Sequence, residues 1–187
     1  MTKDVDNVNS VIERVLITEE EIRNRVAEIG AQISEEYHGR EPLMLCVLSG
    51  SFMFASDLMR AITIPVGISF IYASSYGDAS ESSGNVDIRT GKGGLEVKDR
   101  DIIIVEDIVD TGRTLTAVKK YLIENGAKSV EICSFLDKPA RRVFPLDVKY
   151  MCFDIPNEFV VGYGLDYAYK YRQLPFVGVL KPEIYTK

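Results

Sequence analysis

A chain of 187 residues, 46% hydrophobic, is long enough to bury one sizeable core and too apolar to be disordered throughout. Its net charge of −6 argues against a broad nucleic-acid surface, which needs a basic face. With one histidine, no CxxC and three widely spaced cysteines in apolar segments, Cys46, Cys133 and Cys152, the sequence gives little support to a zinc site or disulfide framework and suits buried thiols in a reducing compartment.

No apolar run approaches the ~20 residues that cross a bilayer, and MTKDVDNVNS has no signal-peptide pattern, so a soluble, cytoplasmic protein is expected. In chain order, Thr18-Glu19-Glu20-Glu21 reads as a capping box. Ile22, Val26, Ile29 and Ile33 then recur at helical spacing, predicting a helix over about 18–38. Leu43 to Leu48 reads as a strand ending in the turn Ser49-Gly50-Ser51, and Phe52 to Arg60 resumes a helical pattern. Pro65 to Tyr72 reads as another strand. The stretch 74–94 is rich in Ser and Gly and interrupted only by the alternating piece Val86-Asp87-Ile88-Arg89, which suggests a mobile excursion with a loose hairpin.

After Asp101 the run IIIV predicts a strand, the acidic stretch Glu106 to Asp110 a turn, and Leu115, Val118, Leu122 and Ile123 a helix closed by Asn125-Gly126. Val130 to Leu136, Lys149 to Phe153 and Phe176 to Leu180 supply further strands. Apolar strands alternating with helices imply an α/β fold, a mainly parallel sheet covered on both faces. No repeat or linker divides it, so residues 1–187 read as a single domain.

The chemistry concentrates where the IIIV strand ends. In open α/β sheets, ligands sit beyond the carboxyl ends of strands, where the next helix offers free backbone N–H groups. Asp110-Thr111-Gly112-Arg113-Thr114 therefore makes a phosphate cradle, although the GxxxxGK[ST] pattern is absent. Glu106 and Asp107 suit the opposite partners, neutral hydroxyls and hard cations. A sugar diol beside a phosphate matches both features. The competing reading is of solvated turn acids with Asp110 as a helix N-cap.

The whole string VEDIVDTGRTL resembles the phosphoribosyl-diphosphate (PRPP) motif of type I phosphoribosyltransferases. The resemblance implies that Glu106 and Asp107 hold the ribose hydroxyls and that Asp110, Thr111, Gly112, Arg113 and Thr114 cradle the 5′-phosphate. From about Val15 to Tyr185 the chain is similar to the hypoxanthine-guanine branch. Leu48-Ser49-Gly50-Ser51-Phe52 is similar to that branch's pyrophosphate turn, where Lys or Asn often stands in place of Ser49; a cis peptide at Leu48-Ser49 is the corresponding expectation. Ser75-Tyr76 resembles the flexible catalytic loop, which would close as a lid.

Phe135-Leu136-Asp137-Lys138 is similar to the strand end whose lysine contacts the purine O6. An ammonium can only donate and a 6-oxo group can only accept, so Lys138 would reject adenine. In IPNEFVVGYGLDY the resemblance implies Phe159 stacked on the base, the backbone of Val160 on its edge and Asp166 on magnesium. It places Arg172 on pyrophosphate, with Ser49, Gly50 and Ser51, and Tyr163, Tyr167, Tyr169 and Tyr171 carry no match.

The family likeness implies the type I phosphoribosyltransferase fold, with a small hood subdomain mainly from about 154–187 plus N-terminal residues. It implies transfer of 5-phosphoribosyl from PRPP to hypoxanthine or guanine, giving IMP or GMP and pyrophosphate. Asp110 would be the general base, and Mg²⁺, near Asp166, Glu106 and Asp107, the cofactor. It further implies a homodimer or homotetramer with no nucleic-acid or membrane partner. A xanthine-preferring transferase and a non-catalytic PRPP-sensing regulator are the alternatives.

Overall fold

The computed structural model describes residues 10–75, 86–91 and 94–186. In chain order the elements are β1 (Ile12–Ile17), α1 (Glu19–Glu36), β2 (Leu43–Leu48), α2 (Phe52–Ala61), β3 (Gly67–Ser75), β4 (Val86–Thr90) and β5 (Asp101–Val109). They continue with α3 (Arg113–Glu124), β6 (Ser129–Asp137), β7 (Tyr150–Asp154), β8 (Val160–Val161), β9 (Val177–Leu180) and α4 (Pro182–Tyr185). A 3₁₀ turn, Pro139–Arg141, follows β6.

Six strands form the main sheet in the order β4-β3-β2-β5-β6-β7. All its pairings are parallel except that of β4 with β3. Side chains alternate across a strand, and the two helical layers divide them accordingly. Met44, Cys46, Ile103 and Val105 pack toward α1 and α2. Leu43, Leu45, Ile102 and Ile104 pack toward Leu115, Val118 and Leu122 of α3. Continuous apolar runs are thus required, since both faces of each central strand are buried.

α1 starts at the expected capping box: the Thr18 hydroxyl accepts from the Glu21 N–H, and the Glu21 carboxylate accepts from the Thr18 N–H. It buries Ile22, Val26, Ile29 and Ile33. Cys46, Cys133 and Cys152 are buried free thiols. Burial raises all three above the ordinary thiol range, Cys152 to about 12. Among the described residues, no helix is long and apolar enough to cross a membrane.

The structure corrects two readings and adds a second sheet. β5 does not stop at the acids: it runs through Glu106 and Asp107 to Val109, paired with β6 as far as Val109↔Asp137. Asp110 is not the N-cap of α3; Gly112 is, at φ 82°, with no side-chain cap. The strand at Phe176 to Leu180 lies outside the parallel sheet: as β9 it joins a second, antiparallel sheet of order β1-β9-β8. Its partner β1 was not anticipated, because Glu13 and Arg14 interrupt the apolar pattern of IERVLI. Tyr76 and most of the 74–94 stretch fall outside the described residues, whereas β4 gives the expected hairpin pairing with β3, Ser75 being its last β3 position.

Candidate active site

The parallel strands β2, β5 and β6 end together, and their C-terminal edges bring three segments of the sequence side by side. At the end of β5, alternation sends consecutive carboxylates to opposite faces. Glu106 lines a cavity of about 80 Å³ together with Asp110, Thr111, Gly112 and Thr114. Asp107 goes the other way, onto the turn after β2. A Cβ on Gly50 would lie 1.5 Å from Asp107 Oδ2, so only glycine fits beneath that carboxylate.

Burial disfavours the charged form of both acids. Burial, then the neighbouring Asp107 charge, pushes Glu106 well above the usual carboxylate range. Its buried Oε2 has no hydrogen-bond partner among the described residues. Burial also raises Asp107 to about 6, against the opposing hydrogen bond from the Ile108 N–H to Oδ1 at 2.8 Å and the nearby Arg172 charge. An orphaned buried carboxylate oxygen is costly. It is relieved by a hydroxyl donor or a cation, the partners that a diol or a divalent metal supplies.

Beyond Val109 the chain turns through Asp110 and Thr111 to Gly112 and enters α3, whose first-turn residues Thr114 and Leu115 line the same cavity. The Thr111 carbonyl accepts from the N–H groups of Val143 and Phe144, both at 3.0 Å. A Cβ on Gly112 would sit 3.0 Å from the Phe144 carbonyl oxygen and 3.2 Å from Arg142 Cδ, so the 142–144 segment braces the turn from behind. Arg113 lies over the Phe144 ring at 5.4 Å. A helix N-terminus of this kind suits an anion, and Thr111 and Thr114 line the same cavity.

The turn after β2 carries the cis Leu48–Ser49 peptide. Ser49 is exposed, and its hydroxyl accepts from Arg172 Nη2 at 3.1 Å. Ser51 is fully buried, and its hydroxyl donates inward to the Val47 carbonyl. Arg172 also donates to the Gly164 carbonyl at 2.5 Å and pairs with Asp166 at 2.8 Å. Asp166 in turn accepts from the Tyr169 N–H at 2.9 Å. A Cβ on Gly164 would meet the Gly50 carbonyl oxygen at 2.1 Å. Asp107, Gly50, Gly164 and Arg172 therefore form one packed contact between three distant parts of the chain.

Lys138 follows β6. Its N–H donates to the Val109 carbonyl at 2.9 Å, tying it to the end of β5, and its ammonium donates to the Glu158 carbonyl at 2.7 Å. Burial lowers its basicity, against the pull of Asp110 and Glu158. Next to it Phe159 is 37% exposed, and Val160 is buried and paired with Val179. So Lys138, Phe159 and Val160 share one corner, beside Asp110. Of the unmatched tyrosines, Tyr163 is buried and donates to Asp57 at 2.8 Å, Tyr167 meets the Phe159 ring edge-on, and Tyr169 is 94% exposed.

Sequence reasoning missed Arg141, whose Nε donates to Asp110 Oδ1 at 2.5 Å across two half-exposed side chains, and Arg142, paired with Asp137. The Arg-Arg doublet after a strand was the available signal. Magnesium suits the donor set: Asp107, Asp166 and the orphaned Glu106 oxygen are hard oxygens, yet the described residues hold no cluster of three metal-ligating side chains. Mg²⁺ commonly takes one or two carboxylates and completes its shell from substrate phosphates and water.

Residues 17–168 match the phosphoribosyl transferase domain family. The chain is 47% identical over 185 residues to a hypoxanthine-guanine phosphoribosyltransferase of Lactococcus lactis, covering 97% of this chain and 98% of that protein. Superposition on a crystal structure of a hypoxanthine phosphoribosyltransferase from Staphylococcus aureus gives a TM-score of 0.92 at 41% identity, over 99% of this chain and 100% of the other. A bifunctional TilS/HprT protein of Listeria innocua is 43% identical over 97% of this chain, which spans 28% of that protein's length.

Proposed function

The chain belongs to the phosphoribosyl transferase domain family, and from that premise we propose that it transfers 5-phosphoribosyl from PRPP to N9 of hypoxanthine or guanine, giving IMP or GMP and pyrophosphate. The observation that carries the reading is the juxtaposition of an orphaned buried carboxylate, Glu106, with the backbone cradle of Asp110 to Thr114 in one small cavity. A ribose diol beside a 5′-phosphate satisfies both.

The reaction separates charge, because the C1′–O bond to pyrophosphate breaks ahead of N9 attack. Glu106 and Asp107 bind the ribose hydroxyls and face the cationic sugar ring with negative charge. Asp110, Thr111, Gly112, Arg113 and Thr114 fix the 5′-phosphate and so the position of C1′. Arg172 and the backbone at Ser49, Gly50 and Ser51 receive the leaving pyrophosphate, a task suited to the guanidinium fork. Asp107 and Asp166 would hold Mg²⁺ on one side of β5, with Glu106 across the strand, and the ion when bound would supply charge neutralisation to the diphosphate.

Phe159 stacks on the purine, Val160 reads its edge through the backbone and Lys138 donates to O6. Asp110 accepts the N7 proton as N9 bonds; its Oδ1 is engaged by Arg141, which leaves Oδ2 for the base. Ser75 and Tyr76 belong to the lid that excludes water from the activated sugar carbon. A homodimer or homotetramer, in a soluble cytoplasmic setting, completes the proposal.

The test supplies purified protein with magnesium and PRPP and each of hypoxanthine, guanine, xanthine and adenine in separate reactions, following nucleotide and pyrophosphate together. The expected result is equimolar IMP and pyrophosphate from hypoxanthine, equimolar GMP and pyrophosphate from guanine, and no product from adenine. Product from xanthine in preference to both would move the assignment to the 2,6-dioxopurine. No product from any base, with PRPP still bound, would replace transfer by PRPP sensing.

A further inference from the structure

Phe159 is the one large aromatic ring proposed to touch the base, and the chain supports it from a place that the transfer chemistry does not use. The Tyr185 ring, at the end of α4, stacks on Phe159 with centroids 4.8 Å apart and planes 21° from parallel. Tyr167 meets the same ring edge-on, at 5.6 Å and 88°. One face and one edge of Phe159 are therefore fixed, while 37% of the residue stays exposed.

Tyr185 is itself anchored. It packs, half-buried, against the small apolar cluster of Ile12, Val161, Leu174 and Leu180, which belongs to the second sheet. The Lys181 N–H donates to the Val11 carbonyl at 3.0 Å, and the Leu180 N–H donates to the Phe159 carbonyl at 2.9 Å. The end of the chain is thereby tied to both β1 and the segment that carries Phe159. Along β8, Val160 joins the core beneath the main sheet and Val161 the second-sheet cluster, so Tyr185 approaches Phe159 from the second-sheet side.

We propose that Tyr185 is a positioning residue for base binding: it backs the Phe159 ring so that the opposite face is held flat for a 6-oxopurine, giving a three-layer stack of Tyr185, Phe159 and base. The proposal rests on the transferase reading above. Its physical basis is preorganisation. A half-exposed ring that is free to tilt must be ordered when the base arrives, whereas a ring already stacked on one face and clamped at its edge has met that cost on folding. The rings that touch Phe159 are Tyr185 and Tyr167, and neither residue is among those proposed to hold PRPP.

The experiment compares wild type with Tyr185→Ala and Tyr185→Phe. It measures kcat, KM for hypoxanthine, KM for PRPP, thermal midpoint, and IMP affinity by calorimetry. For Tyr185→Ala we expect KM for hypoxanthine and the Kd of IMP to rise about 3- to 10-fold, the range of an aromatic pair, with KM for PRPP within about twofold of wild type. Tyr185→Phe, which keeps the ring and loses the hydroxyl, is expected to restore wild-type values. An unchanged KM for hypoxanthine in the alanine variant would overturn the proposal. So would a lowered one, which would mean that Tyr185 covers the face the base needs. A uniform loss in every parameter together with the thermal midpoint would reduce Tyr185 to a folding role. Wild-type protein that neither forms nor binds IMP would instead sink the transferase reading, a failure distinct from that of the stack.

Discussion

Asp110 is the residue on which turnover is expected to depend. It is half-exposed, engaged by Arg141 on one oxygen, and the first residue of the proposed cradle. Its replacement by Asn removes the acceptor for the N7 proton but leaves the cradle N–H groups in place. Turnover by Asp110→Asn is expected to fall about 10²-fold or more, while PRPP affinity changes less than about threefold. Steady-state kinetics alongside PRPP calorimetry checks this, and near wild-type turnover would remove Asp110 as the base. Asp107 makes a different kind of prediction. Its folded pKa, raised to about 6 by burial, lies above the ~3.9 of an unfolded Asp. The stability held by the protonated form is therefore fully present below about pH 4 and is lost as pH rises through about 6. Asp107→Asn is expected to stabilise the ligand-free protein at pH 7.5 by on the order of 1–3 kcal/mol, a gain that vanishes near pH 4. Thermal melts at both pH values test it, and an equal midpoint shift at the two would show that the carboxylate charge is not the cause.

Elements differed in how readily the sequence announced them. α1 was legible to within a residue or two because its capping box and its apolar stripe agree. Thr18→Ala, which removes the cap and leaves the buried face intact, is expected to cost about 1 kcal/mol; chemical denaturation checks it, and an unchanged midpoint would mean that packing alone fixes the helix start. β5 was legible in its apolar half only. Carboxylates read as turn in isolation, but here the ladder to β6 continues through Val109 and the alternation of side chains gives Glu106 and Asp107 separate destinations. β1 and β9 were harder still, because their pairing joins the two ends of the described chain and no local pattern encodes it. The fold class and the cradle could be read from contiguous motifs. Arg141 on Asp110 and Tyr185 on Phe159 could not, since each contact depends on how distant segments meet.

At the scale of the whole molecule, the proposed reading explains the negative charge near the C-terminal end of β5 as what a ligand carrying both hydroxyls and phosphates requires. The cost is visible in the free protein, where one buried carboxylate oxygen is unpartnered and two acids are pushed above their usual range. Stability and function then pull in opposite directions at the same two residues, a pattern expected where a site is held ready for a ligand. The most direct test is calorimetric titration of PRPP, with magnesium, into wild-type protein and into the double variant Glu106→Gln/Asp107→Asn at pH 7.5. We expect the wild type to bind and the double variant to lose about tenfold or more in affinity, although its thermal midpoint without ligand is higher. Equal affinity in the two proteins would contradict the account, because the acids at the end of β5 would then have no part in holding the sugar.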